Sequence, residues 1–163
     1  MKLLWFITAL LGALSMAPAF AHFLEMPAKF SYDASLWLTI SHTLYTRFGA
    51  IGGYCEIGAV VSSILLVIAL RRHPSAFRWA LAGAMCFAAA HAIYWIFIAP
   101  VNVTVAASTS ETLPSNWMDL RKQWEYTHTA RAMLQITGLA LFLISILTEV
   151  PSTENGRRIP AVA

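Results

Sequence analysis

An all-α, four-helix transmembrane bundle is predicted by three features of this sequence. Of the 163 residues, 58% are hydrophobic and only 12% charged, which is too apolar for an ordinary soluble domain. The apolar residues fall into four runs, each close to the roughly 20 residues that a helix needs to cross a bilayer. The basic residues collect at the ends of those runs. The net charge of +3 is therefore accounted for by membrane topology, and no nucleic-acid partner is expected.

The first run, residues 3–20 behind Lys2, ends in Ala19-Phe20-Ala21. It reads either as a spanning helix or as a signal peptide whose removal would expose His22 as an N-terminal metal grip. The bundle prediction takes it as the first span. His22-Phe-Leu-Glu25 follows, and Pro27 is expected to end the helix. Residues 28–41 mix polar and aromatic side chains and predict an extracytoplasmic connection with a short interfacial helix.

The second span is expected over 43–70, with Arg47 near its start and Glu56 near its middle. Gly49, Gly52, Gly53 and Gly58 are spaced to let neighbouring helices approach closely. Arg71-Arg72-His73-Pro74 closes it as a cytoplasmic turn. The third span is placed over 77–99, carrying His91 and the aromatic group Tyr94, Trp95 and Phe97, with Pro100 as its end. A Ser/Thr-rich loop covers 101–116. The fourth span covers 119–147, with Ser115 or Asn116 as its N-cap.

Residues 1–148 thus form one membrane domain, and 149–163 a polar, disordered tail containing Arg157-Arg158. Lys2, the Arg71 cluster and Arg157-Arg158 fall on one side, which places both termini in the cytoplasm. A location in a bacterial inner membrane is expected, with membrane lipid as the surrounding partner and homo-oligomerisation left open. Cys55 and Cys86 lie inside apolar runs, form no CxxC, and read as small hydrophobes.

The most informative stretch is Trp117-Met-Asp-Leu-Arg121-Lys-Gln-Trp124-Glu125-Tyr-Thr-His128-Thr-Ala-Arg131. Glu125, His128 and Arg131 are spaced by three and share a helix face. Counted from the extracytoplasmic end at about 1.5 Å per residue, His22, Glu25, His91, Glu125, His128 and Arg131 all lie in the outer half. Glu56 is the deepest. Charges in lipid need partners, so a shared depth marks a common site facing the extracytoplasmic side. Glu-x-x-His is also the unit that four-helix di-iron proteins use. His22, Glu25, Glu56, His91, Glu125 and His128 are accordingly the candidate metal ligands, with iron or copper suited to carboxylate and imidazole. A haem would use His91 and His128. Residue by residue there is a plainer reading. Glu125 with Arg131, and Glu25 with Arg47, are candidate ion pairs holding the bundle, and Trp95, Trp117 and Trp124 form an interfacial belt. The same tryptophans with Tyr94 are the candidate walls of a pocket for a flat substrate.

Leu113-Pro-Ser-Asn-Trp117-Met-Asp-Leu-Arg121-Lys-Gln-Trp124-Glu125-Tyr-Thr-His128, with Pro100-Val-Asn102 and His22-Phe-Leu-Glu25-Met-Pro27, resembles the DUF1772 or anthrone oxygenase-like family. The resemblance covers roughly residues 10–148, and the Trp-x6-Trp-Glu-x-x-His pattern is its most specific part. It implies a four-helix membrane protein and an oxidoreductase that uses dioxygen on a lipophilic anthrone- or quinol-like aromatic. In that reading His128, Glu125 and Arg131 are the catalytic candidates. The chemistry runs with a metal, with haem, or without a cofactor through a His or Glu base and an anion held by Arg131. The competing expectation is a non-enzymatic membrane protein, such as a metal carrier, small transporter or assembly partner, whose Glu/His/Arg cluster is a structural ion-pair network.

Overall fold

The computed structural model describes residues 1–149, which are all-helical. The expected tail lies outside the described residues from position 150 onward. Four helices are long and apolar enough to cross a membrane: Lys2–Lys29, Tyr45–Ala69, Pro74–Ala106 and Trp117–Leu147. In chain order the elements are α1 (Lys2–Lys29), α2 (Ala34–Thr43), α3 (Tyr45–Ala69), α4 (Pro74–Ile93), a π-helical turn (Tyr94–Ile98), α5 (Ala99–Ala106) and α6 (Trp117–Leu147). α1 packs on α3 and α6, and α4 packs on α6 and α3, so the long helices close into a ring.

Two prolines behave differently from expectation. Pro27 does not end α1, which runs on to Lys29. Its missing N–H frees only one carbonyl of the preceding turn, a modest loss so close to a terminus. Pro100 does not end the third span, and 101–106 are helix rather than loop. A π turn precedes it, and Pro100 sits in the first turn of the next α segment, where the missing N–H would have no partner anyway. Gln123 Nε2 donates to the Phe97 carbonyl at 2.9 Å, supplying a partner where the register changes. Elsewhere the signals act locally. Asp33 caps α2 by accepting from the Leu36 N–H at 2.8 Å. Asn116 occupies the N-cap position of α6, though its side chain makes no capping bond.

The core has two parts. Trp5, Ala59, Leu66, Ala76, Ala80, Phe87 and Phe142 fill the end of the bundle at the α3–α4 turn. Trp37, Tyr45, Ile98, Val101 and Trp124 fill the end carrying α2 and α5. Gly83 and Gly138 bring α4 and α6 together: a Cβ at Gly83 would meet the Gly138 carbonyl at 2.9 Å, and one at Gly138 would meet the Phe87 ring at 2.7 Å. The expected role of the α3 glycines divides. Gly52 rests on Pro18 and Gly58 on Leu11, each at 3.0 Å from a would-be Cβ, whereas Gly49 and Gly53 face open space.

The interior beyond the ionisable groups is polar in places. Thr8, Ser15, Ser62, Ser63, Gln135 and Ser145 are buried, and the hydroxyls of Thr8, Ser62, Ser63 and Ser145 bond to backbone carbonyls. Gln135 Nε2 donates to Ser15 Oγ at 3.0 Å, tying α6 to α1.

A substitution separates the two glycine classes. Gly138→Ala should destabilise the protein by about 1–3 kcal/mol, the range for overpacking a tight contact. Gly49→Ala should leave stability unchanged or slightly raised. Thermal unfolding in detergent, followed by circular dichroism, checks both; equal effects would refute the division.

Candidate functional site

The ionisable side chains meet at the α2/α5 end in two connected groups. The first is built around Lys29, the last residue of α1. Its Nζ lies 2.8 Å from Glu125 Oε2, 3.3 Å from His22 Nδ1 and 3.6 Å from Glu25 Oε2. The same ammonium stands 4.8 Å from the Trp124 ring and 5.2 Å from the Tyr45 ring, so aromatic faces supply what water would elsewhere. Lys29 and Glu125 are both essentially inaccessible. Glu25 is partly exposed and accepts a 2.6 Å bond from Tyr45 Oη.

The second group is built around Arg131 of α6. Its Nη2 bonds Glu56 Oε2 of α3 at 2.5 Å, its Nε donates to the Ala90 carbonyl of α4 at 3.1 Å, and its Nη1 lies 3.4 Å from His128 Nδ1. Glu56 Oε1 stands 3.6 Å from His91 Nδ1, and both atoms are otherwise unpartnered. His91 Nε2 accepts from Trp95 Nε1 at 3.0 Å. The two groups touch through their imidazoles: the His22 and His128 ring centroids are 4.4 Å apart, with Trp124 edge-on to both at 4.6 and 4.2 Å.

Neighbouring donors assign the tautomers. An arginine or ammonium group can only donate. His128 Nδ1 facing Arg131 is therefore an acceptor. So is His22 Nδ1, where the Lys29 ammonium at 3.3 Å is nearer than Glu25 Oε2 at 3.6 Å. This assigns the ring proton of each to Nε2. His91 is the reverse: Nε2 accepts from Trp95 and the proton sits on Nδ1, toward Glu56. Three histidines thus present two donors and one oriented acceptor.

A half-open cavity of about 530 Å³ lies against these groups. Its walls come from α1, α2, α3, α4, the π turn, α5 and α6, and its lining includes His22, His91, His128, Glu56 and Arg131. That size falls within the range of small-molecule sites. Tyr94, Trp95 and Trp124 line it too. Trp117 is not among the lining side chains; it lies beside Trp37 at 5.9 Å and over Arg121 at 4.8 Å. Its place in the wall is taken by Trp37 of α2.

The sequence-expected ion pairs are replaced by others. Arg131 pairs with Glu56, and Glu125 with Lys29, because each meets a facing helix more directly than it meets the other, six residues and nearly two turns along α6. Glu25 pairs within α1 rather than with Arg47, which is exposed. Glu25 and Glu125 lie behind the cavity wall, not in it. Among the described residues, no three or more His, Cys, Asp or Glu side chains converge on one point as metal ligands. The carboxylates face cations instead.

Lys29, Tyr45, Trp37 and Arg121 were not singled out from the sequence. Lys29 carries a signal in retrospect, since His22, Glu25 and Lys29 are spaced by three and four on one helix face. Arg121 carries none, because its partners are backbone carbonyls: Lys29 and Tyr32 at 2.8 and 2.7 Å, and Phe30 at 3.2 Å. It closes the C-terminal end of α1 from about 90 residues away in sequence, and so fixes where Lys29 stands. Comparison with protein-family models, with curated proteins and with solved structures found no match to this chain.

Lys29→Met should cost about 3–5 kcal/mol, since it strands Glu125 as a buried, uncompensated charge. Adding Glu125→Gln should recover most of that loss. Unfolding titrations of the two single variants and the double variant measure the coupling; independent, additive losses would argue against a buried pair.

Proposed function

We propose that this chain is a membrane-embedded oxidoreductase that oxidises a lipophilic aromatic carrying a carbonyl or phenolic oxygen, of anthrone or quinol type, with dioxygen. The observation that carries this reading is the contact of His22 with His128 at the wall of an aromatic cavity, with Arg131 beside them. Two imidazoles with their protons on Nε2 and a guanidinium form a donor set for an oxygen that gains negative charge. His91 offers the complementary group. Its Nε2 is an acceptor, and Glu56 faces its Nδ1–H as a carboxylate faces the imidazole of a nucleophile–base pair. The 3.6 Å separation is long for a hydrogen bond, as catalytic contacts often are before substrate binds.

In this proposal the substrate oxygen sits against His128 and His22, and the substrate ring displaces the Trp95 Nε1–H from His91 Nε2. A C–H proton activated by that oxygen then passes to the freed Nε2 lone pair. The resulting anion reduces dioxygen: a C–O bond forms, and loss of water leaves a new carbonyl. The methylene and one O2 thus become a carbonyl and one water. The resemblance to anthrone oxygenase-like proteins supports the same class, with His91 rather than Glu125 as base. Of the three forms expected from the sequence, cofactor-free chemistry fits best here, because Lys29 and Arg131 already hold the carboxylates that a metal would need.

One observation favours the second reading, a structural network in a non-enzymatic protein. Both buried carboxylates are matched by a cation from another helix, which is what bundle cohesion alone would require.

Oxygen uptake by the purified protein with a lipophilic anthrone, alongside metal analysis and an absorption spectrum, decides among these. Expected are substrate-dependent uptake without stoichiometric metal or a Soret band, and a fall of about 10²-fold or more in His91→Ala and His128→Ala. Stoichiometric iron or copper lost in His128→Ala would replace the cofactor-free mechanism with a metal-dependent one. No uptake from a folded protein would leave the structural reading.

A further inference from the structure

We infer that the cavity takes its ligand sideways from the bilayer, through a mouth between α3 and the π turn, and that Gly49 and Gly53 set the width of that mouth. The inference rests on the cavity being a ligand site, as proposed above, and adds the route and the size filter.

Three independent observations carry it. First, α3 packs closely on α4 but makes no extensive contact with the π turn or α5, so the helices part toward the α2/α5 end. Second, the lining along this gap is exposed as well as cavity-facing. Tyr54 is 80% accessible, Trp95 60% and Ile57 52%, although all three line the cavity. Side chains that belong to both the lining and the outer surface mark an opening. Third, Gly49 and Gly53 line the cavity one helical turn apart, and a Cβ on either would meet nothing within 4 Å. On the same helix Gly52 and Gly58 are pressed against α1. Two of the four glycines therefore serve packing, and two leave space.

The chemistry of the rim names the medium. Tyr54, Ile57 and Trp95 are apolar or amphipathic, and all lie within helices long and apolar enough to span a membrane. Gly53 is eight residues into α3, about 12 Å along its axis from Tyr45. An opening at that depth with such a rim faces acyl chains, not water. The donors lie inside: His22 and His128 are buried, and Arg131 is only 5% accessible. A ligand that dissolves in the bilayer and carries one oxygen acceptor matches both ends. A flat aromatic ring passes over the two glycines of α3, where larger side chains would narrow the gap to the π turn.

The test uses the full chain in lipid nanodiscs. With Cys55→Ala and Cys86→Ala as background, Gly53→Cys carries a nitroxide label whose collisions with dioxygen and with a water-soluble nickel chelate are compared. Oxygen should exceed the chelate several-fold; the reverse would show a water-facing mouth and overturn the inference. In parallel, a long-chain naphthoquinone dissolved in the bilayer is titrated as a quencher of the lining tryptophans. Gly53→Phe should raise the half-quenching concentration at least five-fold, while Val61→Phe, on the same helix below the mouth, should not. Unchanged quenching in Gly53→Phe would also overturn the portal. Absence of saturable quenching in the unsubstituted chain would sink the ligand reading instead, and the label would still report where the gap opens.

Discussion

Charge in a low-dielectric interior is tolerated only in company, and that constraint shapes this bundle more than any other. Lys29 holds Glu125, and Arg131 holds Glu56. Each pair draws its two members from different helices, so each also fastens helix to helix. Replacing such pairs with apolar side chains often costs nothing in stability, whereas breaking one is expensive. What they hold in place is therefore more telling than the stability they add. Here that is a set of imidazoles whose proton positions the cations dictate. Hydrogen bonds from Lys29 and Arg131 make Nδ1 of His22 and His128 acceptors, and that turns Nε2 of both rings into donors.

Packing and cavity divide the molecule along its length. At the α3–α4 turn, glycine against glycine brings α4 and α6 to backbone contact, and Phe87 stacks on Phe142 at 5.6 Å. At the other end the helices carry bulky aromatics and separate around open space. The π turn and Pro100 belong to this loosened end, and α2, held by a 2.8 Å contact between His42 Nε2 and the Val105 carbonyl, closes it over. A rigid half thus supports a half with room in it, as ligand sites on preorganised scaffolds require.

The four spans were legible in the sequence because hydropathy over about 20 residues overrides local detail. The clustering of His22, Glu56, His91, His128 and Arg131 was also legible, since depth along a helix follows from counting. Pairing was not. Which carboxylate meets which cation depends on helix rotation and neighbour order, and the sequence contains neither. Pro100 misled because a proline stops a helix only when the register cannot shift around it. Arg121 was invisible for a different reason: its partners are carbonyls, which every residue carries.

The distance along the chain between partners has a consequence for how the protein is made. Spans emerge in order, so Lys29 and Glu56 reach the bilayer while their partners are still unsynthesised. Arg131 follows Glu56 by 75 residues, and Glu125 follows Lys29 by 96. Until then Lys29 has only Glu25 and His22, on its own helix, for company. The last span is thus the step at which the charges of the first two are neutralised, and a nascent chain short of it displays unpaired charge within the membrane. Completion is marked electrostatically, and a partly assembled bundle differs from a finished one in a property that cellular quality control can read.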